Sequence, residues 1–202
     1  MIGPKACLRI APLLAASLLA LAPAAWAGEP TNHVKDTVDK VISILRDPAL
    51  RPEARRAERR AKIRKAVENE FDFAEMARSA LATHWDQRTL SEKKEFVDLF
   101  SRMIERTYIG KIELYTDETI RYGKERIENG YATVDTIVVA KKGQEVLIRY
   151  SMHKVNGGWK VYDVTVEGNR MVKNFRDQFQ SIIRRSSYED LVKTLRAKQD
   201  EG

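Results

Sequence analysis

The sequence predicts one α+β domain: a curved antiparallel sheet of four strands, wrapped by helices from both ends of the chain and enclosing an apolar cavity. Three observations predict it. Apolar residues recur at helical spacing up to about residue 115, the period then changes to two, and helical spacing returns after about residue 169. Turn signals divide the middle segment at Asn129-Gly130, Lys142-Gly143 and Asn156-Gly157-Gly158.

The N-terminal segment has the pattern of a secretory signal. Basic residues precede an apolar run from Ile10 to Ala22, and Ala25-Trp26-Ala27 matches a small-x-small cleavage site. The run is shorter than the ~20 apolar residues that a membrane span needs. We therefore expect residues 1–27 to be removed and residues 28–202 to form a single domain.

Composition narrows the compartment and the partners. Cys7 is the only cysteine and lies in the signal, so the mature chain can form no disulfide, which suits a bacterial periplasm. Removing Lys5 and Arg9 leaves 34 basic and 29 acidic residues, a net charge of +5. An exported basic protein meets anionic lipid or acidic proteins, so we expect no nucleic-acid partner.

Helical patterns organise the chain before the sheet. Apolar residues from Val34 to Leu45 repeat at helical spacing, and Asp47-Pro48 should end that helix. Asp72 is expected to cap a second amphipathic helix, and Ser91 a long one. A basic run before Asp72, from Arg55 to Lys65, has two interpretations. It is either a solvated helix face or a patch that docks a partner or a membrane.

The last predicted strand departs from simple alternation. The turn signals place strands near 118–127, 131–140, 145–155 and 159–167, and helices at about 170–184 and 188–197. Residues Trp159 to Val166 are apolar or aromatic at nearly every position. A strand with one wet face should alternate, so we expect this strand to be covered on both faces. The apolar residues then form either a pocket or a filled core.

A search for catalytic groups finds no matched set. None of His33, His84 and His153 has the partner spacing of a zinc site, and the sequence holds no phosphate loop or nucleophile elbow. We expect His84 to be structural, His153 to lie at the surface, and no metal or cofactor to be needed. The interpretation is a binding protein, not an enzyme.

Asp163 is the one unusual acid, because it lies within the apolar strand. A buried carboxylate needs a partner to stay charged, and Arg149 or Arg78 is the expected one. The alternative is an enzyme with a cone-shaped pocket, in which Asp163 is a general base and Tyr150 or Tyr162 donates a hydrogen bond.

Four segments carry a family resemblance. They are FDFAEMARSALATHW from Phe71, EFVDLFSRMIERTYIGKIELY from Glu95, GGWKVYDVTVEG from Gly157 and NFRDQFQSIIRRSSYEDLVKTL from Asn174. In order and spacing, over about 32–197, they resemble the MlaC family. The run WKVYDV…EG…RxQF is the most specific part.

The resemblance implies an NTF2-like fold and a monomeric periplasmic phospholipid carrier. Such carriers shuttle lipid between an outer-membrane lipoprotein–porin complex and an inner-membrane ABC transporter with an MCE-domain subunit, which maintains outer-membrane lipid asymmetry. Some related members handle hopanoids or other lipids. Asn169 and Arg170 depart from the small or apolar residues usual in the family, as do Ser186 and Ser187 from a frequent glycine.

Pattern and resemblance together predict the residues that contact lipid between the sheet and the helices. They are Met76, Phe100, Met103, Ile104, Tyr108, Ile148, Tyr150, Met152, Val164, Val166, Met171, Phe175 and Phe179.

Overall fold

The computed structural model describes residues 28–115 and 118–200. The helices are α1 (Glu29–Arg46), α2 (Arg56–Glu68), α3 (Phe73–Leu81), α4 (Leu90–Glu113), α5 (Met171–Arg185) and α6 (Tyr188–Asp200). The strands are β1 (Thr119–Glu128), β2 (Tyr131–Val139), β3 (Glu145–Val155), β4 (Gly158–Val166) and β5 (Asn169–Arg170). The predicted signal lies outside the described residues.

The strands form one antiparallel sheet in the order β1-β2-β3-β4-β5. The α+β class, the meander and its hairpin turns are confirmed. Asn129 and Gly130 both have positive φ, at 49° and 79°, and so do Asn156 and Gly157, at 50° and 85°. Two successive residues of positive φ match the twist of the flanking strands, which is why Asn-Gly predicts these turns.

The prediction of four strands is wrong by one. Glu167 and Gly168 have positive φ, at 48° and 78°, and form a tight turn that brings Asn169–Arg170 back beside Thr165–Val166. We expected Gly168 to end the sheet. It instead adds a short edge strand that leads directly into α5.

A β-bulge explains the nearly continuous apolar pattern of β4. Asp163 lies opposite Ser151, whereas the next residue of β3, Met152, lies opposite Val161. Tyr162 is therefore an extra residue, and the side-chain alternation inverts on either side of it. Val161 and Val164 consequently share the face of the sheet that the helices cover.

The expected cover on both faces is therefore wrong for this sheet. Helices α1, α3 and α5 lie against one face. The other face carries the ion pair of Asp135 with Arg149 and the exposed side chains of Tyr131 and Leu147. We call it the open face.

A cluster of four phenylalanines joins the second layer of helices to the first. The ring of Phe100 in α4 lies 5.4 Å from Phe175 and 5.6 Å from Phe179 in α5, both edge to face. Phe96 meets Phe179 in the same way at 5.7 Å. Each such pair adds about 1 kcal/mol beyond the burial of its area. The cluster fixes α4 over α5.

One of the two predicted helix caps is confirmed. Asp72 Oδ1 accepts the backbone N–H of Glu75 at 2.9 Å and so begins α3. The prediction of Ser91 for α4 is wrong, because Thr89 is the cap. Thr89 Oγ1 accepts from the N–H of Glu92, whose carboxylate accepts from the N–H of Thr89, a reciprocal capping box.

The interpretation of the basic run as a solvated helix face holds for most of its basic residues, but Arg59 and Arg60 are partly buried. Arg59 and Arg60 of α2 each donate two hydrogen bonds to Glu113 at the end of α4, at 2.6–2.9 Å. Arg64, which is exposed, binds Glu105 about two turns earlier, at 2.6 Å. Arg59 and Arg60 thus hold α2 against α4, and the remaining basic residues of the run lie at the surface.

Asp163 holds the end of β4 to the start of α5. Its side chain is 1% exposed. Oδ1 accepts from the N–H of Val164 at 2.9 Å and of Val172, in the first turn of α5, at 3.0 Å. Oδ2 accepts from Arg170 Nε at 2.9 Å. The carboxylate therefore caps a helix from a neighbouring strand, where the helix dipole favours negative charge.

The expected ion-pair partners of Asp163 are wrong. Arg149 points to the open face and binds Asp135, and Arg78 binds Glu75 within α3. The bulge at Tyr162 turns Asp163 toward the sheet edge, where β5 supplies Arg170.

Asp163→Asn should lower the free energy of unfolding by about 2 kcal/mol, because one carboxylate oxygen becomes an N–H group that faces the donors of Arg170 or α5. Urea unfolding measures this. Asp135→Asn is the control, since its partner Arg149 is half exposed and such pairs contribute at most about 1 kcal/mol. Equal losses in the two variants would contradict the capping role.

Glu113→Gln should destabilise the protein in a pH-dependent way. Burial alone would raise the pKa of Glu113, but hydrogen bonds from Arg60 and Arg59 outweigh it and hold the pKa below 4.5. A depressed pKa stabilises the fold above the unfolded-state pKa, and that stability is lost as the pH falls through the folded-state value. We expect a loss of about 2 kcal/mol at pH 7 that shrinks below about pH 4.5.

Thermal unfolding of Glu113→Gln across this pH range provides the measurement. Glu58→Gln is the matched control, because the partners of Glu58, Arg55 and Lys62, are largely exposed. A difference between Glu113→Gln and the parent that did not vary with pH would show that the carboxylate charge is not what holds α2.

Candidate functional site

The helix-facing side of the sheet has two unlike ends. At one end, Ala132, Val134, Met152, Val161 and Val164 are buried. At the other end the side chains are equally apolar but retain accessible surface. We call these the cleft floor: Ile120, Tyr122, Val138, Val146, Ile148 and Val166.

Strand pairing aligns the cleft floor in two rows. Tyr122 pairs with Thr136, Thr136 with Ile148, and Ile148 with Val166, so one row crosses four strands. The second row is Ile120, Val138 and Val146. Paired residues of an antiparallel sheet share a face, and three strand spacings make the first row about 14 Å wide. This is a broad apolar surface.

Helices α1 and α4 carry further apolar residues that keep accessible surface. Met103 and Tyr108 of α4 and Val38 of α1 are partly buried against the core. Val34 of α1 and Tyr150 of β3 share the lining of a small cavity between α1 and the sheet. That cavity is about 20 Å³, which holds about one water molecule. Helix α1 thus rests closely on the sheet.

Polar contacts hold the N-terminal half of α1 in this position. Glu125 of β1 accepts from both the N–H and the hydroxyl of Thr31, at 2.8 and 2.6 Å. His33 Nε2 lies 2.7 Å from Glu70. The apolar stripe further along α1, by contrast, is only partly buried, at Val41 and Leu45 among others.

Two tyrosines differ in their electrostatic surroundings. Burial raises the pKa of Tyr108, and the nearby carboxylate of Asp163 adds to the increase, which places Tyr108 toward β4. Burial also raises the pKa of Tyr122, with a further contribution from Asp39 of α1. Both phenols are therefore protonated at neutral pH and can donate hydrogen bonds.

The structure divides the thirteen predicted lipid contacts into two groups. Eight are buried core residues: Met76, Phe100, Ile104, Met152, Val164, Met171, Phe175 and Phe179. Five keep accessible surface, and these are Met103, Tyr108, Ile148, Tyr150 and Val166. Contact with lipid stays a prediction for all thirteen, but the geometry favours the second group.

Sequence reasoning missed four residues of the cleft floor. They are Ile120, Tyr122, Val138 and Val146. Strand alternation carried the signal, because each lies an even number of residues from another floor residue or pairs with one. The apolar pattern of β4 and α5, which favoured these elements in the prediction, belongs to the core end of the sheet.

The geometry weighs against the enzyme alternative. Asp163 is buried and both of its oxygens already accept hydrogen bonds, so a substrate has no access to it. Tyr162 packs edge to face against Tyr131 on the open face. Tyr150 interacts with Thr136 instead. These groups do not converge on one space.

The histidines have structural partners. His84 contacts Gln180 of α5 at 3.1 Å, as expected for a structural residue. The surface position expected for His153 is wrong, because its side chain is 18% exposed and lies 3.0 Å from Asp72. Among residues 28–115 and 118–200, no cluster of potential metal ligands is found. No helix in the same part of the chain is long and apolar enough to cross a bilayer.

Comparison with known proteins identifies the family. A model of the MlaC protein family matches residues 35–197. The toluene tolerance protein ttg2D of Pseudomonas putida is 26% identical over 122 residues, 59% of this chain and 56% of that relative. The aligned part thus spans about half the length of the relative.

A solved structure extends the likeness to the fold. The phospholipid-binding protein from Ralstonia solanacearum, solved in complex with a phospholipid, superimposes with a TM-score of 0.73 and 26% identity. The match covers 84% of this chain and 96% of that one. Since the family match spans residues 35–197 of 202, this protein belongs to the MlaC family.

Proposed function

We propose that this protein is a periplasmic phospholipid carrier that moves lipid between the outer and inner membranes as the soluble component of an Mla-type system. The observation that carries the proposal is the cleft floor, an apolar surface between sheet and helices that stays partly exposed. The phospholipid bound to the Ralstonia protein supports this ligand over a hopanoid.

A carrier of this kind needs no catalytic group. Burying about a dozen methylenes of an acyl chain is worth roughly 10 kcal/mol, and a lipid that leaves a bilayer gives up a similar amount. The free energy of lipid binding in the cleft therefore has only to match that of the lipid in the membrane. Transfer can then run in either direction, and ATP hydrolysis by a partner determines the direction.

The remaining features of the proposal follow from the family and from the N-terminal pattern. The chain acts as a monomer in the periplasm after cleavage near Ala27. Its partners are an inner-membrane ABC transporter with an MCE-domain subunit and an outer-membrane lipoprotein–porin complex. The sheet with its helix layer is a variant of the NTF2-like fold, and no cofactor takes part.

Protein purified from periplasm without detergent should contain phospholipid in near-stoichiometric amount, because the cleft floor would otherwise stay wet. Solvent extraction and mass spectrometry measure this. A sterol-like or hopanoid species in the extract would mean that the ligand is not a phospholipid. Lipid-free protein that also took no lipid from phospholipid vesicles would contradict the carrier function.

Two neighbouring substitutions separate the cleft from the open face. Ile148→Glu places a carboxylate on the floor, where an acyl chain would remove its water, so this variant should fold but lose most of its lipid. Leu147→Glu changes the residue directly before it, which is 40% exposed on the open face, and this variant should keep its bound lipid. Circular dichroism and lipid extraction are the measurements. Equal lipid content in both folded variants would mean that the floor is misplaced.

A further inference from the structure

Tyrosine hydroxyls are the polar groups of interest around the cleft, and the inference drawn from them rests on the proposed function. Tyr122 lies on the floor and Tyr108 on α4. Tyr150 lies on β3, two residues after the floor residue Ile148 and on the same face of the sheet. Each phenol has one proton to donate. Which of them has that proton available decides what the cleft can recognise.

Tyr150 has a polar neighbour within the protein. The hydroxyl of Thr136 donates to the carbonyl oxygen of Ile148 at 3.4 Å, so its oxygen is left to accept. Tyr150 lies close enough to this hydroxyl to interact with it. The proton of Tyr150 therefore has an acceptor available inside the protein.

Tyr122 is placed differently. Its cross-strand partner is Thr136, yet its hydroxyl has no hydrogen-bond partner among the described side chains and backbone groups. The ring is partly buried between apolar floor residues and α1. The hydroxyl is not among the buried polar atoms that lack a partner, so it can bond to water as long as the floor is uncovered. A lipid that covers the floor removes that water, and a ligand that offers an acceptor there replaces the lost hydrogen bond.

We propose that Tyr122 donates a hydrogen bond to an ester carbonyl oxygen of the bound phospholipid and so makes the cleft selective for acyl esters. The acyl chains cover the apolar floor, and the ester groups are the acceptors of a phospholipid that lie next to its chains. An ether-linked lipid has the same chains but lacks the carbonyl oxygen. It would leave the proton of Tyr122 unpaired.

The test compares diester and diether phosphatidylcholine of equal chain length, presented in vesicles to delipidated protein. Retained lipid is quantified by mass spectrometry after size exclusion. The parent protein should prefer the diester by about fivefold, the effect of one neutral hydrogen bond. Tyr122→Phe should reduce that preference to near unity by weakening diester binding alone.

Two matched variants sharpen the result. Tyr150→Phe should keep the ester preference, because Tyr150 has Thr136 as an acceptor within the protein. Loss of the preference in Tyr108→Phe but not in Tyr122→Phe would overturn the assignment. Lipid-free Tyr122→Phe should be about as stable as the parent, since the lost hydroxyl bonds only to water there, and a clear loss of stability would reveal a structural partner and overturn the proposal.

Equal retention of diester and diether lipid by the parent protein would overturn the role of Tyr122 while leaving the carrier function intact. Retention of neither lipid would overturn both.

Discussion

The buried carboxylate of Asp163 is the interaction on which the arrangement of sheet and helices depends. It joins the end of β4 to the first turn of α5 and accepts from Arg170 of β5. Helix α5 in turn carries Phe175 and Phe179, against which α4 packs. The position of α4 over the sheet thus follows from one carboxylate at the bulge of β4. The same hydrogen bonds occupy both oxygens of Asp163 and leave none for a substrate. The fold therefore explains a residue that suggests a catalytic base in the sequence.

Most of the secondary structure could be predicted from the sequence, because local rules decide it. The Asn-Gly turns require positive φ wherever they occur, so the strands from β1 to β4 and the helix α5 fall within one residue of expectation, and α6 ends three residues later than expected. The bulge at Tyr162 could not be predicted in this way, since its cause is the register of β4 against β3. Without the bulge, the apolar pattern of β4 implied that both faces of the sheet were covered. It also assigned Asp163 the wrong ion-pair partner.

The candidate site was predictable in kind but not in position. An apolar surface between sheet and helices follows from composition and family resemblance. Which end of that surface is filled depends on the phenylalanine cluster and on α3, which are tertiary features. Met171 and Phe175 therefore belong to the core, whereas Met103 and Tyr108 keep accessible surface, although all four lie in amphipathic helical patterns. One face of one sheet provides both the rigid support and the open apolar surface of the proposed carrier.

In the proposed carrier, the close seating of α1 would make that helix an intramolecular competitor of the bound lipid. A cavity of about 20 Å³ cannot hold an acyl chain, so a chain that reaches this part of the sheet must displace side chains of α1. The apparent affinity is then the intrinsic affinity multiplied by the fraction of molecules with α1 displaced. The hydrogen bonds of Thr31 to Glu125 and the close contact of His33 with Glu70 contribute to that fraction. Substitutions in α1 could therefore change how readily the lipid dissociates without altering any residue that contacts it.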